Sequence, residues 1–158
     1  MSERVTVLRR VVDAYKFEYV KAAAHSLVDL LDESLPILPK NMVIVPVPTA
    51  ASHIRQRGYD HLDILARLLS LRRGLPVARL LERSSTKTQH ELNKVERQIE
   101  ASSAFHVAGG VSIDANTPLL ILDDIITTGS TVRAAAEVLS QAGAKNIFVA
   151  ALAYQPLD

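Results

Sequence analysis

Three short apolar runs, separated by stretches with helical periodicity, constrain the fold of this chain more than any other feature. The runs cover residues 42–47, 119–122 and 147–152 and are rich in Val, Ile and Leu, as expected for strands buried on both faces. Strands that alternate with helices predict an α/β fold with a mostly parallel sheet flanked by helices. Because ligands bind at the carboxyl ends of the strands in such sheets, we expect the functional residues there.

Apolar residues recur at helical spacing in three segments, 11–31, 59–73 and 131–142. Gly74 and Gly143 follow the last two segments, as is typical of helix C-termini. The remaining segments are predicted to be short strands at 77–81 and 105–107 and polar connections at 49–58 and 82–98.

The chain has 158 residues, with 48% hydrophobic and 22% charged side chains, which is typical of a globular domain with a substantial core. We therefore predict a single domain in which residues 1–39 form an N-terminal helical segment and residues 40–158 form the core. No apolar run approaches the ~20 residues of a membrane span, and the N-terminus lacks the apolar core of a signal peptide. We expect a cytoplasmic protein, and the absence of cysteine excludes disulfides and thiolate metal sites.

Charge is unevenly distributed along the chain. Residues 40–100 carry 11 basic and 6 acidic side chains, a net charge of +5, whereas residues 101–158 carry 2 and 5, a net charge of −3. The middle of the chain is therefore the expected place to bind an anion, although a solvated basic face would give the same pattern. The net charge of +1, the 4% aromatic content and the absence of Trp do not by themselves indicate a nucleic-acid-binding protein.

The segment LLILDDIITTGST, residues 119–131, places two carboxylates between an apolar strand and a loop of small residues. The backbone N–H groups and hydroxyls of such a loop, with the N-terminus of the following helix, can surround a phosphate. Asp123 and Asp124, expected at the carboxyl end of the strand, suit hydroxyl groups or the waters around Mg²⁺. The combination suits a sugar phosphate; the alternative is an ordinary strand–helix turn with solvated acids. The loop residues are Thr127, Thr128, Gly129, Ser130 and Thr131.

This segment resembles the 5-phosphoribosyl-1-diphosphate (PRPP) signature of type I phosphoribosyltransferases, in which an apolar strand, two acids and two apolar residues precede a Thr/Gly-rich loop. The resemblance implies a type I phosphoribosyltransferase-like fold with a small hood. It implies that Asp123 and Asp124 bind the ribose hydroxyls and that residues 127–131 wrap the 5-phosphate. It also implies Mg²⁺, carried by PRPP and linked to the two acids through water rather than bound to the protein directly.

A second resemblance spans residues 15–152. VIVPVPTAASHIRQRGYDHLDILARLL (residues 43–69) and STKTQHELNKVERQIEASSAFHV (residues 85–107) are similar to blocks of the ComF (competence protein F) family of phosphoribosyltransferase-like proteins. Members usually carry an N-terminal Cys-rich, zinc-ribbon-like segment, which we expect to be missing because the chain has no cysteine. They usually have Asn-Gln where this chain has Asp60 and His61, a difference in the part expected to handle diphosphate.

The resemblance assigns two further segments to the reacting centre. The loop after Pro48, with Arg55 and Arg57, would lie beside the diphosphate, where guanidinium groups can neutralise the departing charge. Residues 84–98 would form a flexible loop that closes over the site and excludes water. The alternatives are ordinary surface arginines and a solvated connection. The five histidines show no metal-ligand spacing, so each is expected to be structural or on the surface.

Two functions follow from these features. The first is a phosphoribosyltransferase that moves the 5-phosphoribosyl group from PRPP to an unidentified nitrogen acceptor and releases diphosphate, with no residue identified as a general base. The second is a non-enzymatic protein that senses PRPP or a nucleotide, or a ComF-like protein that handles single-stranded DNA during uptake in natural competence. The expected partners are PRPP, the acceptor and, in the second case, single-stranded DNA; assembly as a homodimer is left open.

Overall fold

A computed structural model describes residues 23–84 and 104–155 of the chain. Helices and strands alternate along most of these two ranges, as the sequence predicts. In chain order the elements are α1 (Ala23–Ser34), β1 (Val43–Pro46), α2 (Ala51–Arg57), α3 (His61–Arg73), β2 (Leu81–Arg83), β3 (Phe105–Val107), β4 (Leu119–Ile126), α4 (Ser130–Gln141) and β5 (Ile147–Tyr154).

The central sheet contains three strands in the spatial order β1-β4-β5, and both pairs of neighbours are parallel. Leu122 of β4 lies opposite Pro46 of β1 and Ala150 of β5, so the carboxyl ends of the strands lie at the same edge. A parallel bridge between Ile44 and Val77 continues the sheet beyond β1. β2 and β3 pair separately as a short antiparallel ribbon. The predicted α/β fold with a mostly parallel sheet is confirmed.

The core surrounds β4, whose apolar residues 119–122 are at most 2% exposed. Helix α3 packs on β1 and β4, and α4 packs on β3, β4 and β5. The strand that carries the acid pair therefore packs against both α3 and α4. Each of the two helices buries an apolar stripe at helical spacing, consisting of Leu62, Leu65, Ala66 and Leu69 in α3 and of Val132, Ala135 and Leu139 in α4.

Two arginines at the end of α3 attach α1 to the rest of the domain. Arg72 pairs with Asp29 of α1, and Arg73 pairs with Asp32. Arg73 also donates to the Asp32 carbonyl at 2.5 Å and to the Pro36 carbonyl at 3.2 Å. The first bond adds a donor to a carbonyl in the last turn of α1, where carbonyl groups have no partner inside the helix, and the second reaches the segment just after it.

The main helices and strands agree with the sequence predictions. Helix α3 begins at His61 rather than Tyr59, because the Asp60 side chain caps it. Of the helix predicted at 11–31, residues 11–22 lie outside the described ranges and the remainder belongs to α1. No helix in the described ranges is long and apolar enough to cross a bilayer. Five predicted elements are present within two residues of their expected ends, namely 42–47, 59–73, 105–107, 131–142 and 147–152.

Local predictions are wrong in two regions that precede β4. The segment 49–58 is not a polar connection throughout, since it contains α2, which ends at Gly58 in a left-handed conformation. A helix of seven residues has too few apolar positions to produce a visible periodicity. Residues 77–81 do not form one strand, because the chain leaves the edge of β1 after a single bridge at Val77 and regular pairing begins only at Leu81.

Asp60 links the start of α3 to the segment after β1. Its Oδ1 atom accepts hydrogen bonds from the Leu62 and Asp63 backbone N–H groups, at 3.1 and 3.3 Å, and from the Thr49 hydroxyl at 2.9 Å. We predict that Asp60→Ala lowers the free energy of unfolding by about 1 kcal/mol, the usual cost of losing an N-cap, as measured by urea denaturation. Asp60→Asn keeps an oxygen at the cap and should retain most of the stability. Equal losses in the two variants would show that the cap does not stabilise this turn.

Candidate functional site

The two acids of the motif lie inside β4 rather than after it. The strand predicted to end at Leu122 continues to Ile126, because Asp123 and Ile125 still pair with residues of β5. Asp123 and Asp124 are each only 7% exposed. A buried carboxylate requires hydrogen-bond donors around it, so the position of each acid is set by its partners.

Asp123 and Asp124 face different neighbours, as expected for consecutive residues of a strand, whose side chains alternate between the two faces. Asp123 lines a shallow concavity that residues 125–132 form at the start of α4. Asp124 instead contacts His61, the first residue of α3. The Asp124 N–H donates to Asp123 Oδ1 at 2.9 Å, so one backbone amide links the two acids.

A buried hydrogen-bonded network joins Asp124 to the end of α2. His61 Nε2 lies 2.7 Å from Asp124 Oδ2, and His61 Nδ1 lies 3.1 Å from Arg57 Nη1. His61 is 4% exposed and Arg57 is 8% exposed. Because a guanidinium group can only donate, His61 Nδ1 accepts, and the imidazole proton on Nε2 is donated to Asp124. Asp124 Oδ1 accepts the Ile125 N–H at 2.6 Å, so both oxygens of this carboxylate have a donor.

The turn between α2 and α3 brings Arg57 and His61 together. Helix α2 ends at Gly58, whose φ of 75° is a left-handed conformation that glycine adopts at little cost, and the Gly58 N–H donates to the Ile54 carbonyl at 2.8 Å. Asp60 then caps α3, so Arg57 is the last residue of one helix and His61 the first residue of the next. The parallel pairing of β1 with β4 places this turn beside the acids of β4.

The loop of small residues leads directly into α4. Gly129 occupies the N-cap position with φ at 75°, and the Ser130 N–H donates to Thr128 Oγ1 at 3.2 Å. The side chains of Thr127, Thr128 and Ser130 are exposed, and Thr131 is half-buried. The N–H groups of the first turn of a helix have no partner inside the helix, and the helix dipole adds a positive potential there. The loop therefore combines hydroxyl and N–H donors in an arrangement that suits a phosphate.

The two arginines of the segment 49–58 are placed differently. Arg55 is exposed on α2, whereas Arg57 is buried against His61. Both belong to α2, the helix that follows β1. The carboxyl ends of β1 and β4 lie at the same edge of the sheet. The fold thus brings the basic segment and the acid pair to one edge of the sheet.

The closing loop and a metal site can be compared with the structure only within the described ranges. The predicted closing loop, residues 84–98, is described only at Ser84, so Lys87, Gln89 and Arg97 lie outside those ranges. Within residues 23–84 and 104–155, no group of three or more His, Asp or Glu side chains is arranged to hold a metal ion.

His61 is the site residue that sequence reasoning did not single out, beyond the expectation that each histidine is structural or on the surface. Its contact with Asp124 joins residues 63 positions apart and depends on the pairing of β1 with β4. Its contact with Arg57 depends on a short helix that the sequence pattern does not reveal. The difference from the ComF pattern at Asp60 and His61 was the one signal at this position.

Comparison with known proteins identifies the family to which the chain belongs. The phosphoribosyl transferase domain family model matches residues 18–158. The chain is 33% identical over 114 residues to competence protein F of Haemophilus influenzae, a match that covers 70% of this chain and 49% of that protein. It is 26% identical over 133 residues to competence protein ComFC of Streptococcus pneumoniae, covering 84% of this chain and 57% of that protein. The chain thus spans about half the length of the curated relatives it matches.

Solved structures identify the fold independently. The structure of an allosteric regulatory enzyme of purine biosynthesis superposes with a TM-score of 0.55 at 18% identity, over 82% of this chain and 25% of that chain. Adenine phosphoribosyltransferase from Saccharomyces cerevisiae superposes with a TM-score of 0.52 at 21% identity, over 84% of this chain and 69% of that chain. The fold is that of the type I phosphoribosyltransferases. Taken with the sequence matches, this means that the chain belongs to the phosphoribosyl transferase domain family, as a ComF-like member.

Gly129 is needed for its backbone conformation rather than for space. A Cβ atom added there would lie 4.0 Å from Ile126 Cγ2, an ordinary contact, but the φ of 75° is strained for other residues. We predict that Gly129→Ala lowers the free energy of unfolding by about 1 kcal/mol in urea denaturation. Gly109→Ala is the matched control, since Gly109 has open space around it and no left-handed φ. Equal losses in both variants would refute a conformational role for Gly129.

Proposed function

We propose that the chain binds PRPP at the carboxyl edge of β4 and transfers its 5-phosphoribosyl group to a nitrogen acceptor, with release of diphosphate. The observation that carries this proposal is the position of Asp123, which lines the same concavity as the small-residue loop at the start of α4. A carboxylate beside a set of N–H and hydroxyl donors suits a ligand that carries hydroxyl groups next to a phosphate. Membership of the phosphoribosyl transferase domain family supports the same ligand.

The parts of PRPP are assigned by charge and hydrogen-bonding type. The 5-phosphate is assigned to residues 127–131, where N–H and hydroxyl groups can donate to it. The ribose hydroxyls are assigned to Asp123 and Asp124, because a carboxylate accepts the hydrogen bonds that hydroxyls donate. The sugar then separates both acids from the phosphate, which limits repulsion between like charges.

The diphosphate is assigned to the basic segment after β1. Arg55 is exposed, so it can turn toward a diphosphate without breaking a buried contact. Arg57 is buried against His61, so it would reach the diphosphate only through N–H donors other than the one on His61. Positive groups at this place would stabilise the charge that develops on the leaving diphosphate.

The fold family implies Mg²⁺, and the residues present fit an ion that arrives with PRPP. Asp123 and Asp124 offer oxygen atoms, the ligands that Mg²⁺ prefers, and the described residues form no cluster of three ligands that would hold the ion without PRPP. These two acids would hold the ion through water molecules. When bound, Mg²⁺ neutralises part of the charge of the diphosphate.

The transfer breaks the bond between ribose C1 and a diphosphate oxygen and forms a bond between C1 and the acceptor nitrogen. The diphosphate leaves with the electron pair of the broken bond, and the acceptor nitrogen loses a proton to water. Because no general base is assigned, the contribution of this site is to position the reactants and to stabilise the leaving charge. Residues 127–131 and the two acids would hold the sugar at both ends, as such positioning requires.

A second candidate function is binding of PRPP, a nucleotide or single-stranded DNA without catalysis. The names of the curated relatives, competence protein F and competence protein ComFC, favour it. The net charge of +5 in residues 40–100 is also compatible with contacts to a phosphate backbone.

PRPP with Mg²⁺ is predicted to raise the Tm, because a ligand that binds only the folded state stabilises it. At about 100 times the Kd the gain is about 2.7 kcal/mol. Differential scanning fluorimetry and titration calorimetry measure the two quantities. A Tm that does not move, together with no calorimetric binding, would contradict both PRPP-dependent functions.

The ribose assignment predicts a selective loss in acid variants. Asp123→Asn and Asp124→Asn should weaken PRPP binding far more than binding of inorganic phosphate, because the phosphate contacts residues 127–131. Asp114→Asn is the control, since Asp114 is an exposed acid that precedes β4 at the opposite end of the strand. Equal losses for PRPP and for phosphate would refute the ribose assignment.

Two assays separate transfer from binding alone. If diphosphate is released from PRPP only when a nitrogen base is added, the result supports transfer. If the protein binds PRPP but releases no diphosphate with any base tested, the result supports a sensor. Single-stranded DNA binding, if it occurs through the basic segment, should weaken as salt increases and on Arg55→Ala. An affinity for DNA that neither change affects would exclude that segment as the DNA site.

A further inference from the structure

The network Arg57–His61–Asp124 connects the two ends of the proposed ligand, and His61 has no role in the assignments above. We infer that Arg57 and His61 are positioning residues that hold the Asp124 carboxylate and tie it to α2, so that one hydrogen-bonded network sets both the ribose end and the diphosphate end of the site. This inference rests on the proposed function. It adds His61 and gives Arg57 a second role, in which both act on the ligand through Asp124 and α2.

The direction of each hydrogen bond in the network is fixed by chemistry. Arg57 can only donate, and the Asp124 carboxylate accepts, so the residue between them must accept on one side and donate on the other. The two ring nitrogens of His61 do so across 3.1 and 2.7 Å. A side chain at position 61 that can neither donate nor accept would remove one hydrogen-bond partner from Arg57 and one from Asp124. Because both groups are buried and charged, this loss is destabilising.

The network makes the two acids unequal. Asp124 has a donor on each oxygen, the Ile125 N–H on Oδ1 and His61 on Oδ2, and these donors fix the orientation of its carboxylate. A carboxylate oxygen can accept more than one hydrogen bond, so the bonds from Ile125 and His61 do not by themselves prevent Asp124 from accepting from a ribose hydroxyl. A side chain that is already oriented loses less conformational freedom when a ligand binds. The bond between Asp123 Oδ1 and the Asp124 N–H, in contrast, does not involve His61.

The other end of the network lies in the helix that carries Arg55. Helix α2 has seven residues, too few to be stable by itself, so its contacts with the rest of the domain fix its position. Arg57 is its last residue and makes one of these contacts in the buried interior. Loss of His61 should therefore disturb the ribose end through Asp124 and the diphosphate end through α2. It should leave residues 127–131 unchanged.

Two substitutions of His61 separate the effect of its hydrogen-bonding groups from the effect of its size. His61→Gln keeps a donor and an acceptor on one planar group. His61→Leu has neither function and a similar bulk. His53→Leu is the matched control, because His53 is an exposed histidine on α2.

NMR of the protein with ¹⁵N-labelled histidine tests the network without any ligand. The expected result is a His61 ring that carries its proton on Nε2 and has an unprotonated Nδ1. Arg57→Ala should shift the Nδ1 resonance of His61, and Arg57→Lys, which retains a donor, should shift it less. A proton on Nδ1, or a resonance that Arg57→Ala does not move, would overturn the inference.

Titration calorimetry tests the effect on the ligand. His61→Leu should weaken binding of PRPP with Mg²⁺ by roughly tenfold or more, the size expected for losing a hydrogen bond to a charged group. The same variant should change binding of inorganic phosphate by less than about twofold, since the hydrogen bonds of His61 described above join it to Arg57 and Asp124 and not to residues 127–131. The PRPP affinity of His61→Gln should lie within about threefold of that of the wild type, and the affinity of His53→Leu should equal that of the wild type.

The outcomes distinguish this inference from the proposed function. His61→Leu that binds PRPP as well as the wild type, or His61→Gln that binds as poorly as His61→Leu while both are folded, would overturn the positioning role. If His61→Leu does not fold, His61→Asn replaces it, because its shorter amide reaches one partner but not both. A wild-type protein that does not bind PRPP refutes the proposed function, and the NMR result then decides whether Arg57 and His61 hold Asp124.

Discussion

The parallel pairing of β1 with β4 is the constraint on which the site depends. Pro46 lies opposite Leu122, and the Val47 N–H donates to the Leu122 carbonyl at 3.0 Å, so the segment after β1 and the polar half of β4 meet at one edge. The apolar half of β4 holds the strand in the core, since each fully buried Leu or Ile contributes about 1.5–3 kcal/mol. That anchoring keeps the next residues, Asp123 and Asp124, in the sheet despite their charge.

Burial of charge is concentrated at this edge. The buried Arg, Lys, His, Asp and Glu side chains of the described ranges are Arg57, His61, Asp123 and Asp124, and in the same ranges no buried side-chain N or O atom lacks a hydrogen-bond partner. Such groups contribute less to stability than apolar residues of similar size would, so their presence together points to a function. The two acids differ in their surroundings, because Asp123 faces the concavity at the start of α4 and Asp124 contacts His61 at the start of α3.

The sequence predicts the parts of this site that depend on local pattern. The apolar run at 119–122, the acids and the glycine at 129 are read from spacing and residue type, and the structure places Asp123 beside the predicted loop. Three features could not be predicted. The continuation of β4 to Ile126 depends on pairing with β5, the helical state of 51–57 depends on tertiary contacts, and the His61–Asp124 contact depends on which strands are neighbours. Each is set by contacts between residues distant in sequence, which periodicity does not record.

A crystal structure of the protein with PRPP and Mg²⁺ tests the central claim most directly, namely that β4 and the start of α4 form one site for a ribose 5-phosphate. The 5-phosphate is expected among residues 127–131, with the ribose hydroxyls within hydrogen-bond distance of Asp123 and Asp124. This claim would be contradicted by a ligand phosphate bound elsewhere, such as in the surface groove beside Arg67 and Arg79, with no ligand density at residues 127–131.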